Sequence, residues 1–394
     1  MPSTAPLSSL LHSGEHVPAD GALATELESR GCNLDDPLWS AKVLLEQPNL
    51  IKDVHRDYYA AGARIATTAS YQATPQGFAQ RGMGEQESLE LVALSVRLAN
   101  EARREHLSAN PDAGPLLVAG SVGPYGAYLA DGSEYRGDYV LTPEEFRKFH
   151  RPRIAALVEA GADFLACETL PSYAEAKALL ALTQEYDVES WFSFSLRDGA
   201  HISDGTPLAA VAELFDEQPQ VAAVGVNCVP LHLVTPALTA LRGATDKPLV
   251  AYPNSGETYD AGTKTWSPAT PSGSAAGEGN PATLAEGTAT WQALGARIIG
   301  GCCRTTPGDI AAVQRLLSPA RLAGQRAPAT GGASTSRLAV WRRRAGVPVL
   351  LSPLPEQNWR NHGRIPWTSA AGGCRSRCHL WPRRCCRDDS GGES

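Results

Sequence analysis

The chain has 394 residues, 43% apolar and 20% charged, so a substantial core can form and a wholly disordered chain is excluded. Its net charge of −7 divides unevenly, into +9 over residues 321–394, with 13 Arg and no Lys, and −16 over residues 1–320. The acidic body offers no electrostatic footprint for nucleic acid, and no apolar run of 18 residues is present to cross a membrane.

From the first residue onward, MPSTAPLSSLLHSGEHV lacks a basic start, a long apolar stretch and a small-residue cleavage pattern. No secretory leader is expected, and the cytoplasm is the expected compartment. Short runs rich in β-branched or aromatic residues then predict strands at 16–19, 64–68, 116–121, 163–167, 191–196, 221–227, 248–252 and 297–301. Amphipathic stretches predict helices at 41–61, 86–107, 142–160, 172–185, 206–216, 231–243, 282–294 and 307–318. The third of these helices has Thr142 as its N-cap, acids in its first turn and Gly161 as its stop.

Eight βα units with right-handed crossovers predict an α/β fold, a single (β/α)8 TIM-type barrel over residues 1–320. An open doubly wound sheet is the competing topology. The barrel is preferred because the unusual residues fall just after strands, where its C-terminal rim would gather them. Asp20-Gly21 follows the first strand, Thr67 to Tyr71 the second, and Ser121 to Tyr125 the third. Glu168 follows the fourth, Asn227-Cys228 the sixth, Pro253 to Gly256 the seventh, and Cys302-Cys303 the eighth.

Residues 257–281 are Gly-, Ser- and Thr-rich and are expected to form a long loop over this rim, without an element of their own and able to act as a lid. Residues 321–394 carry four of the eight Trp and no clear period, and are expected to form an irregular C-terminal extension. They read as a disordered basic tail or as an out-of-frame stretch of a GC-rich gene. Cys374, Cys378, Cys385 and Cys386 with His379 have the makings of a zinc knuckle, but Arg residues crowd the spacing and no core supports it.

Nine cysteines in a chain without a leader point to metal binding or catalysis before a disulfide framework. Cys228 ends one strand in GVNC, and Cys302 and Cys303 end another in GGCC. On one barrel rim these three could chelate a single metal, with Gly300-Gly301 permitting close approach and unusual dihedrals. The competing reading makes each a small buried hydrophobe. Cys167, within a strand, is expected in the core, and Cys32 in a loop without a partner.

GVNC and GGCC, with DGA at 20–22, DPLWSAKVL at 36–44, TTASYQAT at 67–74, GSVGPYGAYLADGSEYRG at 120–137, ETLPS at 168–172 and YPNSGE at 252–257, resemble the zinc-dependent homocysteine S-methyltransferase family. The likeness runs from about residue 16 to residue 318 and is greater to the S-methylmethionine-using branch than to the betaine-using one. It implies Zn²⁺ on Cys228, Cys302 and Cys303, with homocysteine sulfur taking the open position as a thiolate.

The resemblance also implies that Asp20, beside Gly21, and Glu168 clamp the homocysteine ammonium, and that Trp39 and Tyr71 hold the sulfonium donor against aromatic faces. Tyr125 and Tyr252 are weaker donor candidates, and Asn227 is expected to orient the Cys228 loop. The implied partners are two small molecules, L-homocysteine and a sulfonium; the oligomeric state is left open, with a monomer favoured over an oligomer. S-adenosylmethionine is a poorer donor in this reading, and selenohomocysteine or selenocysteine an alternative acceptor. Betaine-dependent transfer and a non-catalytic zinc or thiol protein are the alternatives, and the second leaves Asp20 and Glu168 unexplained.

Overall fold

Parallel strands covered by helices are buried on both faces, and therefore read as nearly unbroken apolar runs. The computed structural model, which describes residues 6–36, 38–256, 258–260, 265–267 and 281–318, turns eight such runs into one parallel sheet. They are β1 (Val17–Pro18), β2 (Ile65–Thr67), β3 (Leu117–Val122) and β4 (Phe164–Leu170), then β5 (Ser190–Phe194), β6 (Val221–Asn227), β7 (Leu249–Tyr252) and β8 (Ala296–Ile299). The ladder runs β1-β8-β7-β6-β5-β4-β3-β2. A parallel bridge between Ala19 and Ile65 joins its two ends, and the Asp20 N–H donates to the Ile65 carbonyl at 3.0 Å. The sheet is thus the expected (β/α)8 barrel.

Two apolar layers hold it. One lies between the sheet and the surrounding helices and includes Val54, Leu98, Leu157, Leu179, Leu238 and Val313. The other fills the barrel, where Phe164, Trp191 and Tyr252 meet Ile65, Ala119, Val250 and Ile298. Its floor is a helix the sequence reading omitted, Pro6–His12, whose Leu7, Leu10 and Leu11 join the interior cluster. The Glu189 carboxylate caps that helix, accepting from the N–H groups of Leu7 at 2.9 Å and Ser8 at 3.3 Å.

Most expected helices hold to within two residues at each end. Thr142 caps Pro143–Glu159 with a full capping box to Glu145. The helix expected over 41–61 is two, Ala41–Glu46 and Pro48–Ala60, because proline disfavours helical backbone in the residue before it, and Gln47 leaves the helical region at φ −147°, ψ 59°. Short helices also occupy the loops after β1, β2 and β3, namely Leu23–Ser29, Pro75–Ala79 and Tyr125–Leu129.

Other boundaries differ where the pleat is interrupted. β4 runs on to Leu170, so Glu168 lies within the strand rather than after it. The β4–β5 register shifts between Cys167 and Leu170, and Thr169 is left-handed at φ 57°. Such a bulge re-aims side chains at the end of a strand. The expected strand 191–196 stops at Phe194, and Leu196–Asp198 pairs antiparallel with His201–Ile202.

The loop after β7 does carry an element, contrary to the expectation from its polarity. Thr258–Asp260 pairs antiparallel with Thr265–Ser267. Thr, Tyr and Trp favour strands more than the polarity of this stretch suggests. Residues 257, 261–264 and 268–280 of that expected lid lie outside the described residues. The chain divides into two units, Met1–Ala323 and Gly324–Ser394. The second, with the expected irregular extension and its cysteines, lies wholly outside the described residues. Among the described residues, no helix is long and apolar enough to cross a membrane.

Candidate active site

The three cysteines of GVNC and GGCC converge on the C-terminal rim. Cys228 follows the last residue of β6, and its N–H donates to the Tyr252 carbonyl at 3.1 Å. Cys302 and Cys303 follow β8, and the loop after β7 ties them in place. The Cys302 N–H donates to Pro253 at 2.7 Å, and the Ser255 N–H to Cys303 at 3.1 Å. Gly301 is required by contact, since a Cβ there would lie 2.2 Å from Thr305 Oγ1. The expectation of unusual dihedrals at Gly300-Gly301 is corrected. The left-handed residues are Cys228 (φ 54°) and Arg304 (φ 65°), where a side chain costs energy and tertiary contacts must hold the backbone.

The three Sγ atoms lie within 4.8 Å of one another, with Cys228 and Cys303 at 3.6 Å. Tetrahedral bonds of about 2.3 Å place sulfurs about 3.8 Å apart, so the set fits a thiophilic cation. Among the described residues this is the one cluster of three or more metal-ligating side chains. Hydrogen bonds from Cys302, Cys303 and the Tyr135 hydroxyl, 3.1 Å away, hold the Cys228 thiol well below its usual range. Donating to Cys228 pushes Cys302 and Cys303 up. Three thiolates together need a divalent charge among them.

Two carboxylates share this rim, each only 7% exposed. Asp20 accepts from Thr67 through both oxygens, from its N–H at 2.7 Å and its hydroxyl at 2.9 Å. Burial pushes its carboxyl up to about 8, with the Glu168 charge adding to this and the Thr67 bonds opposing it. Glu168 accepts from Ser121 Oγ, and burial lifts it to about 7. Asn227 is fully buried and spends both ends of its amide on Thr169, accepting from its N–H and donating to its hydroxyl, each at 2.7 Å. It thereby fastens the bulge next to Glu168. Gly21 packs on Thr305 and Tyr58, whose hydroxyl is shared between the carbonyls of Ala22 and Thr305 at 3.2 Å each.

The Asp20 shift has a measurable consequence. A carboxyl that titrates near 8 when folded and near 3.9 when unfolded keeps its proton in the folded state. The stability it contributes is complete below about pH 4 and is lost as pH rises towards about 8. Asp20→Asn keeps the shape and cannot ionise. The substrate-free variant is expected to melt above the parent protein at pH 8–9, with the gap closing towards pH 4. A parent-minus-variant difference in Tm that is flat from pH 4 to 9 would refute the assignment.

Trp39 and Tyr71 meet edge to face, with ring centroids 6.4 Å apart and planes at 72°. Trp39 is itself left-handed at φ 46°, an outlier for a bulky side chain. The Tyr71 carbonyl accepts from buried Arg153 at 2.8 Å, and the same guanidinium reaches the Gly123 carbonyl at 2.6 Å. Arg153 also meets His150, whose Nε2 is 2.7 Å from the Glu175 carboxylate. Tyr252 points into the barrel, its hydroxyl 3.0 Å from Trp191 Nε1 and 2.5 Å from Ser193 Oγ. Tyr125 packs among Tyr128, Tyr139 and Phe149. Cys167 is fully buried as expected, and Cys32 is half-buried.

Sequence reasoning missed the single turn Ser133–Tyr135, which brings Tyr135 to Cys228 and Glu134 beside it. Burial lifts Glu134 to about 7, and the negative charge of Cys228 adds to this. The letters SEY lie within a quoted motif, but nothing in their spacing signals a site.

The model of the homocysteine S-methyltransferase family matches residues 18–317. The chain is 59% identical over 310 residues to a homocysteine S-methyltransferase of Escherichia coli (strain K12), covering 78% of this chain and 97% of that one. It is 52% identical over 309 residues to homocysteine S-methyltransferase YbgG of Bacillus subtilis (strain 168), covering 77% and 95%. The metallated form of the homocysteine methyltransferase MmuM from Escherichia coli superposes with a TM-score of 0.70 at 55% identity, covering 79% of this chain and 99% of that one.

Proposed function

Because the chain belongs to the homocysteine S-methyltransferase family, we propose that its barrel, residues 1–320, transfers a methyl group from S-methylmethionine to L-homocysteine and yields methionine. S-adenosylmethionine serves less well as donor in this reading. The observation that carries the proposal is the meeting of three cysteine sulfurs with two buried carboxylates on one rim. All-sulfur donors at these separations favour zinc over oxygen-seeking cations. Zinc on Cys228, Cys302 and Cys303 supplies a place where the homocysteine sulfur is kept as its thiolate, the nucleophilic form.

The remaining work belongs to the chain's own side chains. Asp20 and Glu168 receive the homocysteine ammonium, whose charge draws both carboxyls back to their ionised forms. Thr67 and Ser121 hold those carboxylates in place, and Asn227 holds the strand that carries Glu168. Trp39 and Tyr71 offer aromatic surface to the sulfonium. The sulfur attacks the methyl carbon while its bond to the sulfonium breaks, and neutral methionine leaves. No proton moves at that carbon, so alignment contributes much of the acceleration.

The test uses reduced, zinc-loaded protein with isotopically labelled homocysteine and unlabelled S-methylmethionine, both methionines being followed by mass spectrometry. Labelled and unlabelled methionine are expected in equal amounts. No labelled methionine from zinc-loaded protein would overturn the donor assignment. Zinc binding without transfer from either sulfonium would mark a thiol–metal protein.

A further inference from the structure

One carboxyl on the rim is not among those proposed to hold the acceptor. Glu134 is the middle residue of the turn Ser133–Tyr135, and that turn is held from three sides. Its carbonyl accepts from Ser195 Oγ at 2.7 Å. Its amide nitrogen packs so closely on Gly126 that a Cβ there would lie 2.6 Å away. The next residue, Tyr135, reaches Cys228 Sγ at 3.1 Å. These contacts hold the Glu134 backbone in place, and its Oε2 is buried without a hydrogen-bond partner.

A buried carboxylate with neither a donor nor a counter-charge against it is costly, and a ligand that brings either one offsets that cost. The groups close enough to interact electrostatically with Glu134 include the Cys228 sulfur, the Tyr71 and Tyr135 phenols, Asp131 and one cation, Arg136. Arg136 follows in the chain, but its side chain is exposed and engaged with Asp138 at 3.0 Å, Ser133 at 3.0 Å and the Asp131 carbonyl at 2.9 Å. Arg136 thus leaves the Glu134 Oε2 without a donor, and the Glu134 carboxylate shares its surroundings with the Cys228 sulfur and the Tyr71 ring.

We propose that Glu134 binds the cationic centre of the methyl donor and so selects a sulfonium over its uncharged thioether counterpart. The inference deepens the proposed function and rests on it, since Trp39 and Tyr71 supply polarizable faces there and Glu134 supplies the counter-charge. It also divides the anions of the rim by substrate, with Asp20 and Glu168 taking the acceptor's ammonium and Glu134 the donor's sulfonium.

Calorimetric titration of the zinc-loaded full chain tests it, with S-methylmethionine, S-adenosylmethionine and methionine as probes. Methionine lacks only the extra methyl and its charge. Glu134→Gln preserves shape and removes charge. It is expected to weaken both sulfoniums by about tenfold or more through the lost charge–charge attraction, leaving methionine, homocysteine and zinc content within about twofold, and Glu134→Asp is expected to recover part of the loss. Unchanged sulfonium affinity in Glu134→Gln overturns the inference while the donor assignment stands. Equal weakening of methionine and sulfonium, or loss of zinc, overturns it as well by making Glu134 a general or structural anion. If the parent protein binds neither sulfonium, the donor assignment and the inference fall together.

Discussion

Cys303→Ala is expected to lose bound zinc and methyl transfer together, with the barrel still folded. The ligand set is three sulfurs within 4.8 Å, and a catalytic site with three protein ligands has none to spare. Loss of an outer hydrogen-bond partner costs a metal site roughly 10- to 100-fold in affinity, so loss of a ligand should exceed that. The fold should survive because Cys303 lies on the rim and only partly buried, outside both apolar layers. The Ser255 N–H bonds its backbone carbonyl, which alanine retains. Metal analysis, circular dichroism and turnover on one preparation decide the matter. Full turnover with retained zinc would sink the ligand assignment, and an unfolded variant would make the cysteine structural.

The second large effect is expected from Glu168→Gln. The carboxylate is 7% exposed and already accepts from Ser121 Oγ, an interaction that glutamine can reproduce through its own oxygen. What glutamine cannot supply is charge for an ammonium. A hydrogen bond to a charged group in a desolvated site contributes about 1.5–3 kcal/mol, so KM for homocysteine should rise about 10- to 100-fold. Zinc content should not change, and KM for the donor should change far less. Loss of zinc would show Glu168 to support the metal, and an unchanged KM for homocysteine would remove it from the acceptor site. Set against Glu134→Gln, this substitution separates the two substrates' anions by which Michaelis constant moves.

The barrel was legible because its units are local. Each strand is a short apolar run, and helices such as Pro143–Glu159 carry their own start signals. The errors fell where local pattern was weak or overridden. Pro6–His12 has its leucines at helical spacing but is only seven residues long, too short to signal a helix, and it is held by a carboxylate at position 189. Pro48 divides a continuous amphipathic pattern into two helices. The paired strands Thr258–Asp260 and Thr265–Ser267 lay hidden in a stretch too polar to look structured.

For the site, the sequence by itself determined which residues gather on one rim. Asp20, Glu168, Cys228, Cys302 and Cys303 each stand near a strand end, and a parallel barrel sends every such end to one rim. The family resemblance, carried by motifs along the chain, was equally a property of the sequence alone. Only the tertiary structure decided how the charges there are partnered. Tyr135 reaches a sulfur 93 positions away, and Asn227 spends its amide on Thr169, 58 positions back. Glu134 looks like any loop glutamate until the fold buries one of its oxygens with no donor in reach. Residue types and strand ends are encoded along the chain, whereas burial and hydrogen-bond satisfaction are set only when distant segments close around a group.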